Sequence, residues 1–181
     1  MSPGGHLATT AAACAVTAAM THSWPLTAGV AVGGFLIDVD HAIDYVLFEG
    51  QRDLRPAAFL RYYLEGRVGR AVLVLHSYEL LALAGALAGW TACAPLWGYL
   101  IGALLHLSLD IAFNGELLPN NVLAFYSFGY RAVHRFRGSA LHGSIERAAP
   151  PENFWHAFFK GSAIRDASPV PVVARPAPPA P

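Results

Sequence analysis

No lysine or arginine occurs in residues 1–51 or 71–130; all twelve fall in two blocks, Arg52 to Arg70 and Arg131 to Arg175. A soluble helix keeps basic side chains on its wet face, so two long stretches without one predict helices that face lipid. Charged residues make up 13% of the chain, about half of the roughly 25% usual in a soluble domain. Net charge is zero, which gives no bulk attraction to nucleic acid, and no nucleic-acid partner is expected.

Within these stretches, apolar runs at 7–21, 26–48, 71–90 and 96–113 predict four helices. Tight turns at 22–25 and 91–95 join them in pairs. Between the pairs, residues 49–70 carry Pro56, Phe59, Tyr62, Tyr63 and five arginines, the composition of an interfacial loop or amphipathic helix. The first run lacks a basic leader and a cleavage site, so it reads as a retained helix. Placing both basic blocks on the cytoplasmic side puts both termini there as well. The expected fold is all-α: a membrane-embedded antiparallel four-helix bundle of two helical hairpins, in the inner (plasma) membrane of a bacterial-type cell. Residues 1–137 form the membrane domain, 138–166 a cytoplasmic segment with short amphipathic helices, and 167–181 a disordered or extended Pro/Ala-rich tail. Cys14 and Cys93 lie in apolar runs and read as small buried thiols.

The second run ends as Leu36-Ile37-Asp38-Val39-Asp40-His41, which no packing requirement explains. Other polar groups interrupt the apolar runs at His6, at His76 and Glu79, and at His106 and Asp110. Because neighbouring helices alternate in direction, all of these fall toward the cytoplasmic end of the bundle. Asp38/His41 and His76/Glu79 are spaced i,i+3 and His106/Asp110 i,i+4, so each pair projects from one helix face. Asp40 lies about 200° round from Asp38 on a regular helix and joins the group only if the helix loosens; Gly33 and Gly34 allow close helix approach. An ionised Asp in a spanning helix costs about 2.5–3.5 kcal/mol, which a shared divalent cation offsets. Oxygen and imidazole ligands without Cys suit Zn, with Mn or non-haem Fe as alternatives. The expected ligands are His6, Asp38, His41, His76, His106 and Asp110, with Asp40 and Glu79 as bridging ligands or as the general base. Asp44 is either an outer partner or water-facing. His22 lies at the opposite end, and His134, His142 and His156 read as surface or interfacial groups. Arg67, Arg70, Arg131 and Arg135 read as solvated anchors, or else as phosphate contacts at the rim.

Several of these elements resemble the YdjM-type family of inner-membrane, metal-dependent hydrolases: Gly5-His6-Leu7, Leu36-Ile37-Asp38-Val39-Asp40-His41, His76-Ser77, His106-Leu-Ser-Leu-Asp110, and Gly115 with Leu117-Leu118-Pro119. The resemblance covers roughly residues 4–130. It departs at Ile37, where the family has Pro, and at 71–75, where a His-Arg-Gly is missing and Glu79 becomes the substitute ligand. It implies a distant similarity to the all-helical zinc phospholipase C and single-strand nuclease superfamily, which cleaves phosphoesters at a multi-zinc site.

The resulting expectation is a metal-dependent hydrolase acting on a phosphoester, or another ester, at the cytoplasmic face, where membrane lipid is the neighbouring material. Two other readings stay open. One is a non-enzymatic membrane protein with a structural or transported ion. The other is a membrane-anchored interaction module using 131–165, including Phe136, Arg137, Phe154, Trp155 and Phe158.

Overall fold

The computed structural model describes residues 1–114, 121–142 and 149–161, and among these the fold is all-helical. The tail from 167 and the Gly115–Pro119 loop lie outside the described residues. Two hairpins make the body. In the first, α1 (Pro3–Thr21) starts under the Ser2 side chain, which accepts from the Gly5 amide, and stops where His22 turns left-handed at φ 50°. The Ser23 hydroxyl then caps α2 (Trp24–Gly34) by accepting from Leu26, with Pro25 in the first turn. The second hairpin repeats the device: α5 (Tyr78–Thr91) is capped by Ser77 and ends at Ala92, φ 51°, and α6 (Ala94–Phe113) begins with Pro95 in its first turn. Proline fits there because the first amides of a helix have no partner to lose.

Helices α2 and α6 form the tightest pair in the molecule, and four glycines explain it. A Cβ on Gly29 would lie 2.1 Å from the Pro95 carbonyl oxygen, and one on Gly33 2.1 Å from that of Tyr99. From the other side, a Cβ on Gly98 would lie 2.0 Å from the Leu26 oxygen, and one on Gly102 2.3 Å from that of Val30. Each helix thus presents a Gly-x-x-x-Gly ridge to the other, the device that brings helices together where water cannot drive them. Gly98→Ala is expected to destabilise by about 3 kcal/mol, because the backbone must move apart. Gly85→Ala is the control: nothing lies within 4 Å of its Cβ, so helix propensity predicts a gain of about 0.5–1 kcal/mol. Thermal melts of the two variants in detergent check both signs.

Two expected helices are not continuous. The run 26–48 breaks at Phe35 and continues as a 3-10 turn (Leu36–Asp38), α3 (Val39–Ile43) and a π turn (Asp44–Phe48), bent by 44° from α2. The loosening that Asp40 required is therefore present. Residues 71–77, expected as the start of the third helix, form a buried non-helical strap. Its amides find carboxylates instead of helical carbonyls: Val72 and Leu73 donate to Asp44 Oδ2 at 2.6 and 3.1 Å, and Leu75 and His76 to Asp40 Oδ2 at 2.6 and 3.2 Å. With its donors satisfied, the strap gains nothing by coiling.

The Arg-rich connector carries the amphipathic α4 (Pro56–Leu64), whose Leu60 and Leu64 pack with Ala157, Phe154 and Phe158 of α10 (Phe154–Lys160). Shorter helices α7 (Val122–Phe125), α8 (Phe128–Val133) and α9 (Gly138–His142) close the site end. The described part of 138–166 belongs to the same body. Leu141 lies in the main core with Ile37, Leu107 and Phe125, and α10 packs on α1 through the bond from Ser2 Oγ to the Phe159 carbonyl, 2.8 Å.

Among the described residues, α6 is the one helix long and apolar enough to cross a membrane unaided; the bent pair 24–34 and 36–48 makes a second if it is one span.

Candidate metal centre

Four pieces of backbone deliver imidazoles and carboxylates to one point. α1 brings His6, the loosened turn after α2 brings Asp38 and His41, the strap brings His76, and α6 brings His106 and Asp110. His6, His76 and His106 are buried, and Asp38 and His41 half-buried.

The orientation of each ring follows from its outer partner. His106 Nδ1 lies 2.9 Å from the Gly34 carbonyl oxygen, which only accepts, so Nδ1 carries the proton and Nε2 presents a lone pair inward. His76 Nδ1 lies 3.3 Å from Asp40 Oδ2, and its Nε2 likewise points inward. The two Nε2 atoms stand 3.3 Å apart, and Asp38 Oδ1 is 3.4 Å from each. Two imidazole nitrogens and a carboxylate oxygen thus converge at distances that a shared metal ion, or a proton on one ring, can bridge. Asp110 extends the cluster, with Oδ2 3.3 Å from His106 Nε2 and Oδ1 2.9 Å from His6 Nε2. The His6 ring stacks on that of His106, with centroids 3.7 Å apart. His41 Nε2 lies 3.7 Å from Asp38 Oδ1. Two groups, His6/His106/Asp110 and Asp38/His41/His76, each have donor atoms close enough together to hold a metal ion. Two buried nitrogens of the cluster, His6 Nδ1 and His41 Nδ1, have no hydrogen-bond partner among the described residues.

Asp40 is held beside the centre rather than in it. Its Oδ2 takes the Leu75 and His76 amides and the His76 ring, the role of a carboxylate that orients a metal-binding imidazole. Glu79 stands apart. Because α5 starts afresh at Ser77, Glu79 no longer shares a helix face with His76. Its oxygens accept from Ser127 Oγ at 2.7 Å and from the Phe128 and Gly129 amides at 2.8 and 3.0 Å, fixing the start of α8. Glu79→Gln is therefore expected to cost about 1 kcal/mol at this exposed position and to leave metal content unchanged, read by a melt and by elemental analysis. Asp44 is buried and holds the strap.

The rim arginines divide. Arg67 and Arg135 are exposed, Arg67 pairing with Glu65 at 2.5 Å, while the exposed Arg70 donates its amide to Glu49. Arg131, expected as a solvated anchor or phosphate contact, is instead fully buried. It donates from Nη1 to the carbonyls of His76 and Phe125 at 3.0 and 2.7 Å, and from Nη2 to that of Leu73 at 2.8 Å. Strap residues have carbonyls that no helix satisfies, and a guanidinium is the side chain with enough donors to serve them. His22 and His156 are exposed; His134 donates to or accepts from nothing in the cluster, its Nδ1 lying 2.9 Å from the Tyr130 oxygen. His142, expected as a surface or interfacial group, packs on the Phe125 ring and lines the cavity beside the site. Tyr63, also unanticipated there, donates to the His41 carbonyl at 2.7 Å.

A signal for this arrangement was present in the chain. His6, Thr21, Pro25, Leu26 and Asp40 recur as His76, Thr91, Pro95, Leu96 and Asp110, each 70 positions on. The structure crosses the pairs: His6 bonds Asp110, and His76 bonds Asp40. At the seam Gly29 meets Tyr99 and Gly33 meets Ala103, again 70 apart. The two hairpins are thus arranged as an approximate two-fold pair, with the site at the end of the α2–α6 contact. The halves differ at Leu36/His106, Asp38/Ser108 and His41/Ile111, so the cluster is not symmetric.

A cavity of about 420 Å³ opens from the cluster, with His6, Asp38, His41, His76 and Asp110 in its wall. No family model, curated protein or solved structure matches the chain, so the function is read from the residues of this site.

Proposed function

We propose that the chain is a membrane-embedded, metal-dependent hydrolase that cleaves a phosphoester at the cytoplasmic end of a four-helix bundle. One observation carries the metal: His76 Nε2, His106 Nε2 and Asp38 Oδ1 form a triangle with sides of 3.3, 3.4 and 3.4 Å. Nitrogen and oxygen ligands about 2.0–2.1 Å from a tetrahedral zinc lie about 3.3–3.4 Å from one another. Cysteine is absent from the cluster, and the cavity beside it favours a reactive site over a closed structural one. The resemblance to the YdjM-type hydrolases agrees with this reading.

The membrane placement rests on the basic-residue map and on surface chemistry. Trp24 and Trp90 are 79% and 87% exposed at the two hairpin turns, away from the site, as interfacial belts require. Leu83, Leu87, Trp97, Ile101 and Leu104 lie exposed along α5 and α6, where lipid rather than water is the natural neighbour.

Asp38, His76, His106, Asp110 and His6 are the residues that would hold the ion. A bound divalent ion supplies an acidified water, with pKa near about 7, and positive charge for the ester oxygen. Asp40 and the Gly34 carbonyl keep the two imidazoles turned inward. His41 lines the cavity, with Nε2 3.7 Å from Asp38 Oδ1 and Nδ1 without a hydrogen-bond partner among the described residues; in this reading it would take the proton of the attacking water. His41→Gln is accordingly expected to lower kcat by about 10²–10⁴-fold with metal retained. The test is hydrolysis of bis-4-nitrophenyl phosphate and of a 4-nitrophenyl ester by protein purified with Zn or Mn. Metal-dependent turnover lost in His41→Gln supports the reading. Bound metal without turnover of either compound favours a structural or transported ion.

A further inference from the structure

We infer that the substrate is a membrane-resident amphiphile that enters sideways from the bilayer, its apolar chain lying in the cavity and its ester at the metal centre. This deepens the hydrolase reading and rests on it for the reaction, but the binding mode stands on separate observations.

First, the cavity wall is mainly apolar: outside the cluster its polar groups are Asp44, Asn114, His142, the Tyr63 and Tyr126 side chains and Met1, whose ammonium is held by Asp110 and Asn114. Among the described residues no Lys or Arg side chain lines the cavity, and most of the remaining wall comes from residues such as Leu60, Leu64, Leu73, Phe125 and Phe158. A soluble phosphorylated metabolite or an oligonucleotide needs cationic and hydrogen-bonding groups along its length. This wall offers an alkyl chain what it needs, and the volume falls within the range of about 300–1,000 Å³ typical of ligand pockets.

Second, the mouth lies on an apolar surface. Leu36 and Val39 both line the cavity and are 55% and 51% exposed. They begin a row that continues as Ile43 and Leu47, 41% and 70% exposed, along one side of the bent segment 36–48. A row of large aliphatic side chains held in water is costly; facing acyl chains it is neutral. The same two residues therefore belong to the lipid-facing surface and to the cavity, which makes the opening lateral.

The head group then meets the cluster directly. The chain-binding wall is built by α4 and α10, through Leu60, Leu64 and Phe158, so the Arg-rich connector serves as the cover of the chain channel rather than as a passive link.

The experiment uses the full chain in vesicles of phosphatidylethanolamine and phosphatidylglycerol, a fraction of which carry a diazirine near the end of one acyl chain. After illumination, labelled residues are mapped by mass spectrometry. The expected result is labelling of Leu60, Leu64 or Leu73, which are buried and out of reach of bulk lipid, and loss of that labelling in Val39→Trp, which blocks the mouth from an exposed position. Labelling confined to outer residues such as Leu83 and Trp90, in both proteins, overturns the inference. The two readings separate cleanly. Cavity labelling without turnover of any ester sinks the hydrolase and keeps the lipid site; turnover of bis-4-nitrophenyl phosphate without cavity labelling does the reverse.

Discussion

Arg131→Leu is expected to destabilise the protein by about 3–5 kcal/mol, the largest stability loss of any single side chain outside the glycine seam. The guanidinium is fully buried and its three bonds all go to carbonyls, two of them on the strap, at Leu73 and His76. Burial pushes its pKa below the ordinary guanidinium value, while the charges of Asp40, Glu79 and Asp44 pull the other way. Leucine fills part of the space and supplies no donor, so three acceptors lose their partners at about 1–3 kcal/mol for each one left dry. Lysine keeps the charge but cannot fork to carbonyls on two segments, so Arg131→Lys falls between. Because His76 hangs from the strap, both variants also weaken the metal site. Melting temperature and metal content fall together in one series, whereas a remote stabilising residue would move the first alone.

His106→Ala is expected to abolish metal binding, and with it all turnover. The side chain sits at the centre of the network, within 3.3–3.4 Å of His76, Asp38 and Asp110 and stacked on His6. Asp40→Asn is the graded companion. It still accepts from the strap amides but no longer holds a charge beside His76, so affinity falls by about 10–100-fold, as for other orienting partners. Isothermal titration with Zn of metal-stripped protein checks both. Equal losses in the two variants would make Asp40 a ligand in its own right.

Much of the fold was legible in the chain because a bilayer-like pattern leaves few choices. The missing basic residues located the apolar helices, and the turns at Pro25 and Pro95 fell where helix starts require them. Six of the eight expected site residues converge, because the direction of the chain at each of them decides which end of the bundle it occupies. The rest depended on interactions between distant segments. Residues 71–77 read as helix because Ala71-Val-Leu-Val-Leu75 is apolar; they form a strap because Asp40 and Asp44 capture their amides, which no local pattern reveals. That change also removes Glu79 from the face of His76. Arg131 looked like a surface anchor because arginine usually is one, and its burial follows from carbonyls that the strap left open. The Gly-x-x-x-Gly ridges at 29–33 and 98–102 and the 70-residue offset were readable in the letters and point to the same α2–α6 contact.

The central claim is that His6, Asp38, His76, His106 and Asp110 hold a metal, with His41 beside it. Elemental analysis of the purified protein against Asp38→Asn, after equilibration with Zn and Mn and removal of excess, tests it most directly. The expected outcome is at least about one tightly held ion per chain in the wild type and a large loss in Asp38→Asn, with both proteins showing the same helical circular dichroism. A folded wild type that retains no metal, or a variant that retains as much as the wild type, contradicts it.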